Sequence, residues 1–365
     1  MEVQVPPTET TPGTIFTSDL NATSTVIGIY GEMMNGQGFA SGATRSVTFL
    51  SALSADELEN YSSLTVPREF YENSLNTNND AIEHQLWDEG YKYIYAANAL
   101  MEGLALSTAN VSPDVQKQLQ GEALFIRAFC HFYLTNLFGD IPYLKTTDYQ
   151  KNITSYRQPV LTVYENIIAD LQQAQELLRE EYVAIQPTAE RVRPNKWAAT
   201  ALLARVYLYT GNWEQAAALS TTVINQGIYQ LEDSLNNVFL KTSREAIWQL
   251  MPNNPGVNTW EGRNFILTQA PVTEEFNSTV LSRYMLQAFE AGDRRRRNWV
   301  DSIALGASQV YYFAYKYKKK VDADITEYSM VLRLAEQYLI RAEARAHLDN
   351  PQGAINDLNY IRERA

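Results

Sequence analysis

The sequence predicts an all-α protein, a TPR-like (tetratricopeptide-like) framework of helix pairs packed against an irregular, loop-rich lobe. Three observations lead there. From residue 80 onward apolar side chains recur at three- and four-residue steps; a small, aromatic, Gly, aromatic, Ala arrangement of the helix-turn-helix kind appears, and its alanine spacing recurs near residue 350; and a stretch rich in Asn, Pro, Gly and aromatics interrupts the periodic segments.

Taken in order, VPPTETTPG reads as an extended lead-in. Ser18 or Asp19 can cap a helix running to about Met34, with Leu20, Val26, Ile27 and Tyr30 as its apolar face. NGQGFASGATRS, residues 35–46, is a Gly/Ser loop, and the polar stretch after it sustains little periodicity. Residues 35–79 therefore read as a long insertion between helices, a place where binding residues often sit. Periodicity returns in AIEHQLWDEGYKYIYAANALMEGL, with Ile82, Leu86, Tyr93, Ile94, Ala97 and Leu100 in phase.

A Ser-Pro-Asp start signal at residues 112–114 opens the next helix, which contains GEALFIRAFCHFYLTNLFGD. Residues 123–138 are interrupted by Arg127, His131 and Asn136 and fall short of the ~20 apolar residues a membrane span needs. Arg127, His131 and Thr135 stand at i, i+4 and i+8, a single polar seam on an otherwise apolar helix. Such a helix belongs in the middle of a bundle, with Arg127 and His131 satisfying buried polar partners and Cys130 acting as a small buried hydrophobe. A third helix is expected from Val163 to about Glu180, and a fourth from near Pro194 to Gly211.

In ALLARVYLYTGNWEQAAALSTTVINQG, residues Ala204, Tyr207, Gly211, Trp213 and Ala216 match the tetratricopeptide positions. In YLIRAEARAHLDNPQGAINDLNYIRERA, Ala342 and Ala354 keep the same separation as Ala204 and Ala216, and residues 80–138 give a weaker pair. Between the copies lies the largest insertion, residues 231–328, so the chain divides into an N-terminal region, 1–230, and an irregular binding lobe with a closing helix pair, 231–365.

Composition narrows the function. With 30 Lys+Arg against 42 Asp+Glu the net charge is −12, which argues against nucleic acid or an anionic membrane as the main partner. The 23 tyrosines outnumber the 13 phenylalanines and 6 tryptophans together, a bias that suits partly wet sites. No phosphate loop occurs, and GQGFASG does not fit the dinucleotide fingerprint. His84, His131 and His347 stand on separate helices without a second ligand nearby, so neither a metal nor a cofactor is expected. DADITE, residues 322–327, spaces carboxylates like the start of a calcium loop but lacks its Gly and later Glu, and reads as a solvated turn. Glu290 and Asp293 in FEAGDRRRRNWV could form a hydrolase pair, but ion pairing with Arg294 to Arg297 is the expectation.

GEALFIRAFCHFYLTNLFGDIPYL resembles the signature of the SusD/RagB family, through Glu122, Ala123, Arg127, Ala128, Phe138, Gly139 and Pro142. WDEGYKYIYAANALMEGL, AFEAGDRRRRNWV and MVLRLAEQYLIRAEARAHL, with Trp87, Asn98, Arg333 and Glu336 among others, follow in the family's order. The resemblance implies four TPR-like helix pairs against an irregular lobe. It further implies a cell-surface outer-membrane lipoprotein that acts as a lid on a SusC-type TonB-dependent transporter, delivering oligosaccharide or polysaccharide or, less often, peptide. No catalytic residue and no cofactor is implied, and the membrane is met only through an N-terminal lipid anchor. The family's lipidated Cys near the mature N-terminus is absent, as expected of a chain that starts just after it with Met1 as an added start. The chain stops at IRERA, where relatives usually continue through another helical stretch.

The family motifs are mostly structural, so the ligand site is read from the residues. A flat ring stacks on the CH-rich face of a sugar while amide and guanidinium groups bond its hydroxyls. That chemistry points to residues 260–312, with Trp260 stacking, Arg263 and Asn264 bonding hydroxyls, and Phe265, Tyr311 and Tyr312 beside them. Arg45 and Tyr71 are expected to contribute from the first loop. The same aromatics could instead anchor the insertion to the helices. Two rival functions stand beside glycan capture: a TPR-type scaffold that binds only proteins, and an α-helical glycoside hydrolase needing two carboxylates in one cleft.

Overall fold

The computed structural model describes residues 16–35, 38–107, 110–184, 190–305 and 309–365. The extended lead-in before residue 16 and two positions of the Gly/Ser loop, Gly36 and Gln37, lie outside the described residues.

Helix α1, Asp19–Met33, starts where the sequence places it, since the Ser18 hydroxyl accepts the Asn21 N–H at 3.2 Å. The following stretch corrects the expectation of one irregular insertion. It folds as α2 (Val47–Ser54), β1 (Leu58–Asn60) and α3 (Thr65–Tyr71), elements of eight, three and seven residues, too short to establish a period in the sequence. A π-helical stretch, Ala81–Asp88, runs directly into α4, Glu89–Leu106. Helix α5, Pro113–Phe138, is buried along most of its length and ends at Gly139, whose φ of 72° few other residues adopt. A short α6 (Tyr149–Asn152) leads to α7, Val160–Leu177. Helix α8, Lys196–Tyr209, is capped by Asn195, so Pro194 sits just outside the helix rather than inside its first turn. Helix α9 is Trp213–Ile224.

The second half is richer in strand than the sequence reading allowed. It contributes β2 (Ala246–Leu250), α10 (Trp260–Phe265), β3 (Thr279–Leu281), α11 (Arg283–Gln287) and α12 (Arg294–Asn298). Strands β4 (Val300–Leu305), β5 (Gln309–Ala314) and β6 (Ser329–Arg333) then precede α13 (Leu334–His347) and α14 (Pro351–Arg362). The strands form three antiparallel ribbons, β1 with β3, β2 with β6 and β4 with β5. Helices dominate, and each of α4, α5, α7, α8, α9, α13 and α14 packs on a neighbour in that series.

The TPR-like positions behave as close-approach sites. Ala204 and Ala216 are fully buried in one small cluster with Ile340 and Ala344 of α13, which lets α8, α9 and α13 approach, and Trp213 stacks on His347 at 3.9 Å; Ala342 and Ala354, the matching positions of the second copy, are buried outside that cluster. The polar seam of α5 is satisfied as expected. Arg127 holds Asp170 and Asn98; His131 donates from Nδ1 to the Arg127 carbonyl and accepts the Leu144 N–H at Nε2. Burial lowers the pKa of His131 to about 3, so the ring is neutral. One turn earlier, buried Glu122 takes Arg193 and the Tyr30 hydroxyl. Strand β2 seats Trp248 against the edges of Tyr30, Phe125 and Phe129, joining the lobe to the main core. Among the described residues no helix is long and apolar enough to cross a membrane.

Candidate ligand-binding site

Helix α10 is the hub. The Thr259 hydroxyl caps it by accepting the Gly262 N–H at 3.0 Å, and Asn258 beside it ties down residues 322–327 through hydrogen bonds to Asp322, Asp324, Thr326 and Glu327. Gly262 is required, because a Cβ there would overlap the Lys319 carbonyl. Six residues of helix give two working faces. Glu261 and Phe265, at i and i+4, face a cavity, while Trp260 and Arg263 lie on another side.

The two segments singled out in the sequence do meet. The Phe49 and Phe265 rings stack at 5.8 Å, Trp260 donates its indole N–H to the Met34 carbonyl at 2.8 Å, and Tyr61 meets Tyr311 edge-on. Individual residues are placed differently from the expectation. Asn264 is 2% exposed and donates its amide to the Gly42 carbonyl at 2.9 Å, so it braces the Gly/Ser loop from inside. Its buried position withholds it from hydroxyls outside. Arg263 lies between the rings of Trp260 and Phe276, at 5.3 and 5.0 Å, and is half-buried. Arg45 pairs with Asp80 at the surface; Tyr71 and Tyr312 pack against the cluster around Phe49 and Leu58, with Arg296 over the Tyr312 ring at 4.7 Å.

The cavity measures about 350 Å³, in the range of small-ligand sites, and lies between α2, β1 and the lobe. Phe239, Phe265, Phe289, Trp299 and Tyr317 supply its aromatic wall. Its polar groups are Thr48, Glu57, Glu261, Arg295 and Lys316. Sequence reasoning missed most of these. Trp299 and Arg295 stood in a segment read as ion pairing, Lys316 in a tyrosine-rich run, and Glu261 inside NTWEGRNF itself.

Three of the polar groups are perturbed, the pKa of Arg295 being raised by its hydrogen bond to Asp293. Glu261 is buried; Oε1 accepts the Ser329 hydroxyl at 2.7 Å, while Oε2 has no hydrogen-bond partner among the described residues. Burial pushes its pKa up to about 7, with the Glu327 charge adding to the rise. Lys316 is open to the cavity yet enclosed by protein, and desolvation together with Arg333 lowers its pKa. A smaller cavity of about 100 Å³ shares Glu261, Thr48 and Met330 and reaches Phe129 and Tyr133 of α5. Glu261 thus stands in the wall between two voids.

The residues that hinted at other chemistry are engaged elsewhere. Glu290 pairs with Arg362, and Asp293 with Arg295 alone of the arginine run. Glu327 is buried and accepts the Lys318 and Lys319 amides, while Ala323 and Asp324 are exposed, so residues 322–327 form a turn with a solvated tip, as expected, and a packed end. Among the described residues no group of three or more His, Cys, Asp or Glu side chains is gathered as a metal would need.

A helical-repeat scaffold holding an irregular lobe, with an aromatic cavity of ligand size between that lobe and the α2–β1 segment, defines the class of protein. The chain belongs to the SusD/RagB family. A family model described as "Starch-binding associating with outer membrane" matches residues 26–208, and one described as "SusD family" matches residues 245–365. SusD-like protein P25 of Formosa agariphila is 27% identical, over 76% of this chain and 61% of the relative. A SusD-like protein of Bacteroides ovatus is 25% identical, over 76% and 58%. The chain spans about three fifths of the length of these curated relatives. Among solved structures, a SusD superfamily protein from Bacteroides thetaiotaomicron superposes with a TM-score of 0.79 at 22% identity, covering 95% of this chain and 80% of that one. A Bacteroides vulgatus protein described as a SusD-like carbohydrate binding protein gives 0.76 at 22%, covering 94% and 75%. These likenesses show the fold.

Proposed function

We propose that the chain is the capturing part of a non-catalytic surface protein that binds oligosaccharide or polysaccharide at the outer membrane and passes it to a SusC-type TonB-dependent transporter. The carrying observation is the aromatic cavity beside α10, walled by Phe239, Phe265 and Trp299 in a chain of the SusD/RagB family. Aromatic faces with a few polar groups between them suit a sugar ring. The family description ties its members to the outer membrane and to starch. Anchoring would come from an N-terminal lipid.

On this reading Phe265 belongs to the cavity, and Trp260 with Arg263, Tyr311 and Tyr312 offer half-buried edges at its flank, where a longer glycan would run. Arg45 and Tyr71 would act at the outer margin, and Asn264 would hold the loop beneath. Affinity electrophoresis against a panel of polysaccharides tests the reading: retarded migration in at least one gel is expected, with no new reducing ends released. Unchanged migration throughout, with a peptide bound on the helical face instead, would favour a protein-binding scaffold.

A further inference from the structure

The run Arg294-Arg295-Arg296-Arg297 lacks the salt-bridge network that its sequence suggests. Asp293 caps α12 and holds Arg295 through both carboxylate oxygens. Among the described residues Arg294, Arg296 and Arg297 have no carboxylate partner, and Glu290 is turned to Arg362. The Arg296 guanidinium lies over the Tyr312 ring at 4.7 Å. In a chain of net charge −12, three uncompensated guanidinium groups on one short segment form a local field of the opposite sign.

That field adjoins the cavity. Arg295 lines it, Trp299 stands two positions after the run, and Lys316 extends over the Trp299 ring at 5.8 Å without an ion pair among the described residues. Lys318 adds a further cation, its ammonium bonded to the Asn298 and Tyr315 carbonyls and lying over the Tyr315 ring at 4.1 Å. The carboxylates nearby are Glu57 and Glu261 on the cavity wall, Asp301 on β4, Glu327, which takes the Lys318 amide, and Glu290 and Asp293 just before α12; facing them are Arg294 to Arg297, Lys316, Lys318 and Arg333. Glu261 is half protonated near neutrality, so it can donate a hydrogen bond as well as accept one. Lys316, held below its usual pKa by desolvation, gains most from an arriving negative charge.

We propose that the cavity and the arginine run form one subsite for an anionic saccharide, a sugar bearing a carboxylate or a sulfate ester, with its ring against the Trp299 and Phe239 wall and its charge toward Lys316 and the free arginines. This rests on the glycan-capture reading and sharpens it, because a neutral glycan would leave these cations without a role. The aromatic cavity beside them favours a sugar over a flat lipid surface.

The test is calorimetric titration of the whole chain with a tetragalacturonate, its fully methyl-esterified counterpart and a sulfated carrageenan tetrasaccharide, at low and moderate salt. At least one of the two anionic probes is expected to bind at least tenfold more tightly than the neutral ester. That preference should shrink as salt rises and vanish in Lys316→Gln and in the Arg294→Gln, Arg296→Gln, Arg297→Gln triple variant, both retaining the parent melting temperature. Equal affinity for the tetragalacturonate and its ester, with no tighter binding of the sulfated probe, would overturn the anionic subsite while leaving glycan capture intact. Silence toward all three probes, with binding to a neutral polysaccharide in the gel panel, would do the same. Silence toward every saccharide would remove both readings. Salt-sensitive binding to vesicles containing phosphatidylglycerol, lost in the triple variant and without saccharide binding, would assign the run to a membrane surface instead.

Discussion

Arg127 on α5 and Asp170 on α7 face each other as a two-pronged pair, Nε to Oδ2 and Nη2 to Oδ1 at 2.7 Å each, with both residues about 5% exposed or less. The Tyr143 hydroxyl adds a third donor to Asp170 at 2.6 Å, and Asn98 takes Nη1 of the arginine. Breaking such a pair from one side strands a buried charge, which costs about 3–5 kcal/mol. Arg127→Ala is therefore expected to lower stability by that amount in urea unfolding. None of these groups lines the cavity, so the folded fraction should retain its polysaccharide affinity. An affinity loss without a stability loss would contradict the assignment.

Glu261 predicts a pH dependence with a definite sign. Its folded pKa of about 7 lies above the value of 4.5 for a free carboxyl, so the folded state holds the proton more tightly. The contribution to stability is complete below pH 4.5 and is lost as pH rises to about 7, with a slope of at most about 1.4 kcal/mol per pH unit. Glu261→Gln, which mimics the neutral acid, is expected to remove that slope and to raise stability at pH 8 by about 1–3 kcal/mol. Parallel stability curves for parent and variant between pH 4.5 and 8 would refute it.

Gly42 sits against the same carboxyl. Its φ is 79°, and an added Cβ would overlap Glu261. Gly42→Ala is expected to destabilise by about 1–3 kcal/mol from backbone strain, and by more through the overlap. In a Glu261→Ala background the second part should disappear, so a double-mutant cycle measured by thermal unfolding should return a non-zero coupling.

Trp260 and Asn264 share a helix and are expected to respond differently. Trp260→Ala should weaken polysaccharide retention roughly tenfold if its edge flanks the ligand, since a stacked or edge-on ring contributes on the order of 1 kcal/mol beyond its burial. Asn264→Ala removes the bond to the Gly42 carbonyl within the protein. It should lower the melting temperature and leave retention by the folded protein near the parent value. Reversed behaviour would move the ligand contact to Asn264.

What the sequence disclosed follows from where the information is local. Helix periodicity, the Ser18 cap and the alanines at 204 and 216 act through neighbours three to twelve positions away, and they were legible. The buried seam of α5 was legible because Arg127, His131 and Thr135 share one face by spacing alone. The three ribbons were not. Leu58 pairs with Leu281 and Ala246 with Arg333, and a short strand carries no period that announces a partner so distant, while β4 and β5 pair locally inside a segment read as irregular. For the site, the two segments were found but the inward turn of Asn264 was not, since the faces of a six-residue helix depend on what packs around it. The cavity walls at Phe239, Trp299 and Lys316 come from three separate stretches and exist only once the lobe has closed.

The distant pairing of those ribbons bears on how the chain reaches its native state. The helix pairs close over short loops and can form early, whereas β1 must await β3 across roughly 220 residues and β2 must await β6 across roughly 80, since loop closure precedes the contacts that reward it. Refolding should accordingly show a fast gain of helical signal followed by a slower phase seen by Trp248 and Trp299, and the cavity should be the last part of the molecule to become competent.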